Sequence, residues 1–221
     1  MLAARPFRSP YRLVLLCCLL ACAPAWAGIC SVTTAGSVFN DGSSWAAPTI
    51  LQAAVFSSSC TEIWVAKGLH KPNAYNPVVS FPVADGVAIY GGFAGNETAR
   101  DQRNPAANLT VLSGDLDNDD SIDADGIDVD ATHIVGSNSP HLVTMTNVGA
   151  GTVLDGLTLT GGSALNGGGG LYCDGTGVAH RCEPTLSHLA FRGNRTTGNS
   201  SGGAIFNHGN SNPALNDVTF S

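Results

Sequence analysis

Basic residues are scarce in this chain, with ten Lys and Arg against seventeen Asp and Glu. Three of the ten, Arg5, Arg8 and Arg12, crowd the N-terminus, so that beyond residue 27 the balance is seven against seventeen, a net charge of −10. So acidic a chain has few cations with which to displace counterions from a nucleic acid or an anionic membrane, and neither is an expected partner. Long apolar runs are lacking too. The run from Leu13 to Ala23 covers 11 residues, against the roughly 20 that a membrane-spanning helix needs, and no transmembrane helix is expected in the mature chain. No residue stands in a recognisable nucleophile elbow. The six histidines, at 70, 133, 141, 180, 188 and 208, share no spacing, and loop or surface positions are expected for them. Charged residues make up only 12% of the chain, while Gly numbers 27 and hydrophobics reach 43%. That profile excludes disorder and does not favour helices.

What is present at the N-terminus is a basic stretch, the apolar run, and Pro24-Ala25-Trp26-Ala27 before Gly28. This is the layout of a secretory signal peptide over residues 1–27, so export is expected. Leu19-Leu20-Ala21-Cys22 also resembles a lipoprotein processing box, with lipidation at Cys22 as the alternative. The remaining 194 residues suffice for one domain with a sizeable core. Cys17, Cys18 and Cys22 leave with the signal, and Cys30, Cys60, Cys173 and Cys182 remain. In an oxidising compartment these four allow three pairings, of which sequence proximity favours Cys30 with Cys60 and Cys173 with Cys182. A metal site from Cys173, His180, Cys182 and His188 is the competing reading, and it lacks the spacing of structural zinc sites.

Repeats decide the fold. Leu154-Asp155-Gly156-Leu157-Thr158-Leu159-Thr160 superimposes on Leu186-Ser187-His188-Leu189-Ala190-Phe191-Arg192 and on Leu215-Asn216-Asp217-Val218-Thr219-Phe220-Ser221, which makes Leu154, Leu186 and Leu215 equivalent at nearly equal intervals. Out of phase with these, Gly168 to Cys173 matches Gly202 to Asn207 at a similar interval. Alternate apolar positions, such as Leu157 with Leu159 or Leu189 with Phe191, have the period of a strand with one face inward. One such unit cannot cover its own apolar face, so neighbouring units must stack. Further strands are expected at Glu62 to Ala66, Gly86 to Tyr90, Leu109 to Leu112 and His141 to Thr146. Residues 48 to 56 read as a short amphipathic helix, with Ile50, Leu51, Ala54 and Val55 on one face, that caps the stack. The cap region is placed at 28–60 and the coils at 61–221. Because the chain stops at Ser221 in mid-repeat, a truncated N-terminal fragment of a longer stack is expected.

Asn40-Asp41-Gly42-Ser43-Ser44-Trp45, Glu62 to Gly68, Gly86 to Phe93 and the Gly202 to Asn207 unit carry a resemblance. Over most of residues 40 to 221 the chain resembles right-handed parallel β-helix proteins of the pectate-lyase-like superfamily, particularly bacterial surface proteins with polymorphic-outer-membrane-protein-type repeats. The resemblance implies an all-β fold, a right-handed single-stranded parallel β-helix with a short N-terminal capping helix. It also implies display at, or release from, the surface of a Gram-negative-type cell. Since that superfamily holds both enzymes and non-catalytic surface proteins, two functions stand open. One is a structural or adhesive role with carbohydrate or surface protein as partner; the other is a polysaccharide lyase or glycoside hydrolase.

Residues 115–130 hold eight of the seventeen acidic residues in sixteen positions. Asp115, Asp117, Asp119, Ser121 and Asp123 fall at the first, third, fifth, seventh and ninth places of an EF-hand-like loop, which makes Ca²⁺ a candidate cofactor. The pattern fails where Asp120 replaces the glycine and Gly126 the bidentate Glu, and a solvated acidic insertion between coils is the alternative. No column of the aligned repeats stacks two acids, so no catalytic pair for glycoside hydrolysis can be named. Arg192 and Arg195 suit a lyase, or simply a solvated surface.

Overall fold

The computed structural model describes residues 28–72, 79–199 and 202–221. The expected signal peptide and the lipidation site at Cys22 lie outside the described residues. Within them the chain is mostly β, in curled parallel sheets, with a single α-helix, Leu51–Phe56, and two short 3₁₀ turns. On the longest face, the strands Ile29–Val32, Glu62–Ala66, Ala88–Phe93 and Val153–Asp155, the first half of Thr185–Arg192, and Ala214–Phe220 are parallel neighbours in chain order. The face continues through Gly68–His70, Thr110–Ser113, Thr158–Thr160 and the second half of Thr185–Arg192. A second face holds Phe81–Val83, Val143–Thr146, Leu171–Gly175 and Ile205–Gly209. A narrow third pairing joins Ser163–Ala164 to Arg195–Thr196.

The repeat alignment is the pairing register. Leu154 lies opposite Leu186 and Leu186 opposite Leu215, while Leu171 lies opposite Ile205. Apolar side chains therefore form inward columns: Cys30, Ile63, Ile89, Leu154 and Leu186 make one, all buried in the same cluster. Each large member contributes roughly 1.5–3 kcal/mol by leaving water. The neighbouring column runs His70, Leu112, Leu159, Phe191 and Phe220. His70 thus occupies a core position at 5% exposure, its Nε2 2.9 Å from the Ala66 carbonyl, and the expectation of a loop or surface site is wrong for it. Burial pulls the His70 pKa below its ordinary value, against the opposing effect of that hydrogen bond.

The strand at Glu62–Ala66 matches its expected bounds, whereas the one expected from Gly86 runs over Ala88–Phe93 and the one expected from His141 starts at Val143. The helix begins at Leu51, later than Pro48, and buries Leu51, Gln52, Ala54 and Val55 against the Phe81–Val83 and Ile29–Val32 strands. Both disulfides follow the proximity pairing: Cys30–Cys60 and Cys173–Cys182, with all four cysteines in the core. The second bond also removes the competing metal site, because its two thiolates are consumed.

Candidate functional site

Two insertions leave the regular winding between Ala88–Phe93 and Val153–Asp155, and each builds a polar site. The first, residues 94–109, folds back onto the outer side of the longest face. Arg103 donates there to the Gly91 and Asp155 carbonyls at 3.1 and 3.3 Å, and its Nη2 lies 2.8 Å from Asp155 Oδ2. From the next pass, His188 Nδ1 reaches Asp155 Oδ1 at 3.0 Å. Gly156, His188 and Asp217 stand at one repeat position, and all three have left-handed backbones, with φ of 74°, 49° and 53°. Such a backbone bends each strand between its two paired halves, and it is strained for a non-glycine residue. Gly156 serves a further need, because a Cβ there would lie 2.6 Å from Arg103 Nη1. Beside these residues runs an open groove of about 260 Å³, lined by Pro105, Thr158, His188, Asp217 and Thr219 among others. An imidazole oriented by a half-buried carboxylate can move protons, but among the groove-lining residues no side chain pairs with it as a nucleophile.

The second insertion carries the acidic run, between Thr110–Ser113 and Val143–Thr146. It is not a merely solvated loop: Asp115, Asp120 and Asp128 are buried, and Ile127 and Ile134 anchor it at 3% and 1% exposure. The alternating series Asp115, Asp117, Asp119, Ser121 and Asp123 does not close on one point. Asp115 and Asp119 come together, but with Asp120, their carboxylate oxygens all within 4.8 Å of one another. Asp117 sits against Asp119 and accepts from the Ser137 amide at 2.9 Å. Ser121 is exposed and bonds through its amide to the His133 carbonyl. Asp123 caps its own turn, accepting from the Asp125 and Ile127 amides, and lies 4.0 Å from Arg192. Arg195 is turned instead to Ser163 Oγ at 2.9 Å.

Sequence reasoning missed Asp128, which an antiparallel bridge between Ile122 and Asp128 brings inward. Its Oδ2 accepts from Thr160 Oγ1 at 2.9 Å, while its Oδ1 is buried with no partner. Desolvation first, and the Asp120 and Asp115 charges beside it, push Asp128 up to about 7 against the opposing Thr160 bond. Asp119 is also raised, by desolvation and then by Asp117, whereas the Ser137 amide holds Asp117 low. Lys71 faces the cluster from outside, 3.0 Å from Asp115 Oδ2 and 2.9 Å from Asn118 Oδ1.

Along the second face runs a row of partly exposed rings. His141 and Tyr172 have centroids 4.8 Å apart, and Tyr172 stacks on Phe206 at 5.8 Å. His208 Nδ1 lies 2.9 Å from Tyr172 Oη and 3.5 Å from Asp174 Oδ1. Nothing in the sequence pattern singled out this row, although the register that stacks Tyr172 on Phe206 was present in the aligned repeats. No protein-family model matches the chain, and neither a curated protein nor a solved structure does.

Proposed function

We propose that this chain is an exported, right-handed parallel β-helix repeat protein of the pectate-lyase-like kind, acting at or beyond the surface of a Gram-negative-type cell by binding carbohydrate. The observation that carries the binding role is the row His141, Tyr172 and Phe206, edged by His208 and Asp174. Aromatic faces take the apolar side of a sugar ring, while a carboxylate and imidazoles at their edge take its hydroxyls. Parallel strands repeat that pattern at the strand spacing of about 4.8 Å, which suits an extended polymer better than a single sugar. A glycan array is the test. Retention of neutral or uronic-acid polymers, weakened about tenfold by Tyr172→Ala and by Phe206→Ala, is expected, since losing one stacked ring removes about 1.4 kcal/mol. Retention that ignores both substitutions refutes the reading, and binding confined to a surface protein redirects it.

The Arg103, Asp155 and His188 cluster beside the groove favours a second reading, a polysaccharide lyase or glycoside hydrolase. Incubation with the same glycans decides it. New unsaturated or reducing ends that vanish in His188→Ala establish turnover; bound but intact polymer leaves binding alone.

A further inference from the structure

The acidic cluster is built on the inner side of its insertion as well as on the outer, and the inner side is incomplete. Asp115, Asp119 and Asp120 present carboxylate oxygens within 4.8 Å of one another. Behind them stands Asp128, 1% exposed, with its carboxyl next to that of Asp120 and no N–H or hydroxyl donating to its Oδ1. Asn138 donates to Asp120 Oδ2 at 2.6 Å and to the Gly161 carbonyl at 2.9 Å, and leaves its own buried Oδ1 unpartnered. A buried Asp128 oxygen without a donor, beside three converging carboxylates, is a costly arrangement that a proton or a metal cation relieves. Lys71 does not do so, because it bonds Asp115 and Asn118 on the outer side.

We propose that Asp115, Asp119, Asp120 and Asp128 form a Ca²⁺ site, with the Asn138 amide holding Asp120 beside it, that fastens the acidic insertion to the sheets. The donor set is all oxygen, which selects a hard cation. Oxygens bound to one Ca²⁺ at 2.3–2.6 Å lie at most about 5 Å apart, which Asp115, Asp119 and Asp120 satisfy, with Asp128 beside Asp120. Mg²⁺ keeps most of its water and takes one or two carboxylates, so a set of four favours the larger ion. This site differs from the EF-hand-like series in gaining Asp120 and Asp128 and in losing Asp117, Ser121 and Asp123. Its consequence is mechanical. Asp128 is tied to Thr160 and Asn138 to Gly161, so a bound ion joins the insertion to the Thr158–Thr160 pass through side chains already in place.

Isothermal titration of the purified protein with CaCl₂, and separately with MgCl₂, tests the assignment, with thermal unfolding in CaCl₂ and in EGTA beside it. Saturable binding of one Ca²⁺ and a higher unfolding temperature in CaCl₂ are expected. Asp119→Asn with Asp120→Asn should weaken binding at least tenfold. Asp123→Asn with Asp125→Asn, which removes as much charge from the same loop, should leave it unchanged. Asp128→Asn keeps the Thr160 contact and gives Asp120 a donor, so it should fold in EGTA at least as stably as the parent and yet lose stabilisation by CaCl₂. No saturable heat, an equal response to MgCl₂, or equal loss in both double variants overturns the site. None of these readings involves glycans, so the outcome is independent of what the aromatic row binds.

Discussion

Removing the two disulfides one at a time should destabilise the fold unequally, and the structure says in which order. Cys30–Cys60 closes a separation of 30 residues and Cys173–Cys182 one of 9. In the chain-entropy description, cross-links of those spans withdraw about 3.6 and about 2.6 kcal/mol of freedom from the unfolded chain, so the longer loop is worth about 1 kcal/mol more. Packing does not reverse the order, because all four cysteines are buried to a similar degree, between 0% and 3% exposed, and replacement by alanine removes a similar sulfur contact at each. The pair Cys30→Ala with Cys60→Ala should therefore lose more stability than Cys173→Ala with Cys182→Ala. Urea unfolding followed by circular dichroism measures both; a midpoint comparison is valid only if the slopes agree, since a changed slope reports a changed unfolded state. A greater loss from the Cys173 and Cys182 pair would refute the entropic reasoning. So would a loss below about 1 kcal/mol for either pair.

His70 should make stability fall with acid. Its folded pKa lies below the ordinary value of about 6.5, so the unfolded chain binds more protons there, and stability is fully present above that pH and drains away as pH falls towards the folded value. His70→Leu, which matches its column neighbours Leu112 and Leu159, should remove that part of the pH dependence in urea titrations between about pH 5 and 7. Gly162→Ala would set a Cβ 1.9 Å from the Gly169 carbonyl oxygen; because backbone cannot swing aside, a loss of about 3 kcal/mol or failure to fold is expected, and wild-type stability in a melting experiment would refute the close approach. Arg103→Ala strips a largely buried Asp155 of its guanidinium and should cost about 3 kcal/mol by urea unfolding, with Arg103→Lys recovering little because an ammonium cannot span Asp155 and Gly91 together.

The regular part of the fold was legible because its register is written in repeated apolar pairs. Leu157 and Leu159, Leu189 and Phe191, and Val218 and Phe220 alternate inward whatever surrounds them, and their offsets are the pairing offsets. His70 escaped notice because an alternation counted on apolar residues passes over an imidazole in the same column. The acidic run announced itself by composition, but spacing along the chain misjudged which carboxylates meet. A chain reversal between Ile122 and Asp128 brings Asp128 back beside Asp120, and no regular interval encodes that.

The cause is visible in the length of one pass. Ile29, Glu62, Ala88, Val153, Thr185 and Ala214 occupy successive equivalent positions on the longest face. The intervals between them are similar except for the stretch from Ala88 to Val153, which is far longer than any other. That long pass contains both insertions, and with them Arg103 and the whole acidic cluster. The shorter passes show how little chain is enough to close a turn and bury its columns, so the surplus is free of the periodic constraint that made the rest readable. It is anchored by particular contacts instead: Arg103 on Asp155, and Asp128 on Thr160. Both anchors lie on the following pass, Val153–Asp155 and Thr158–Thr160, which is itself locked by parallel pairing on either side. A rigid repeat thus holds irregular segments at fixed points on one side, and the chemistry gathers where the repeat is interrupted.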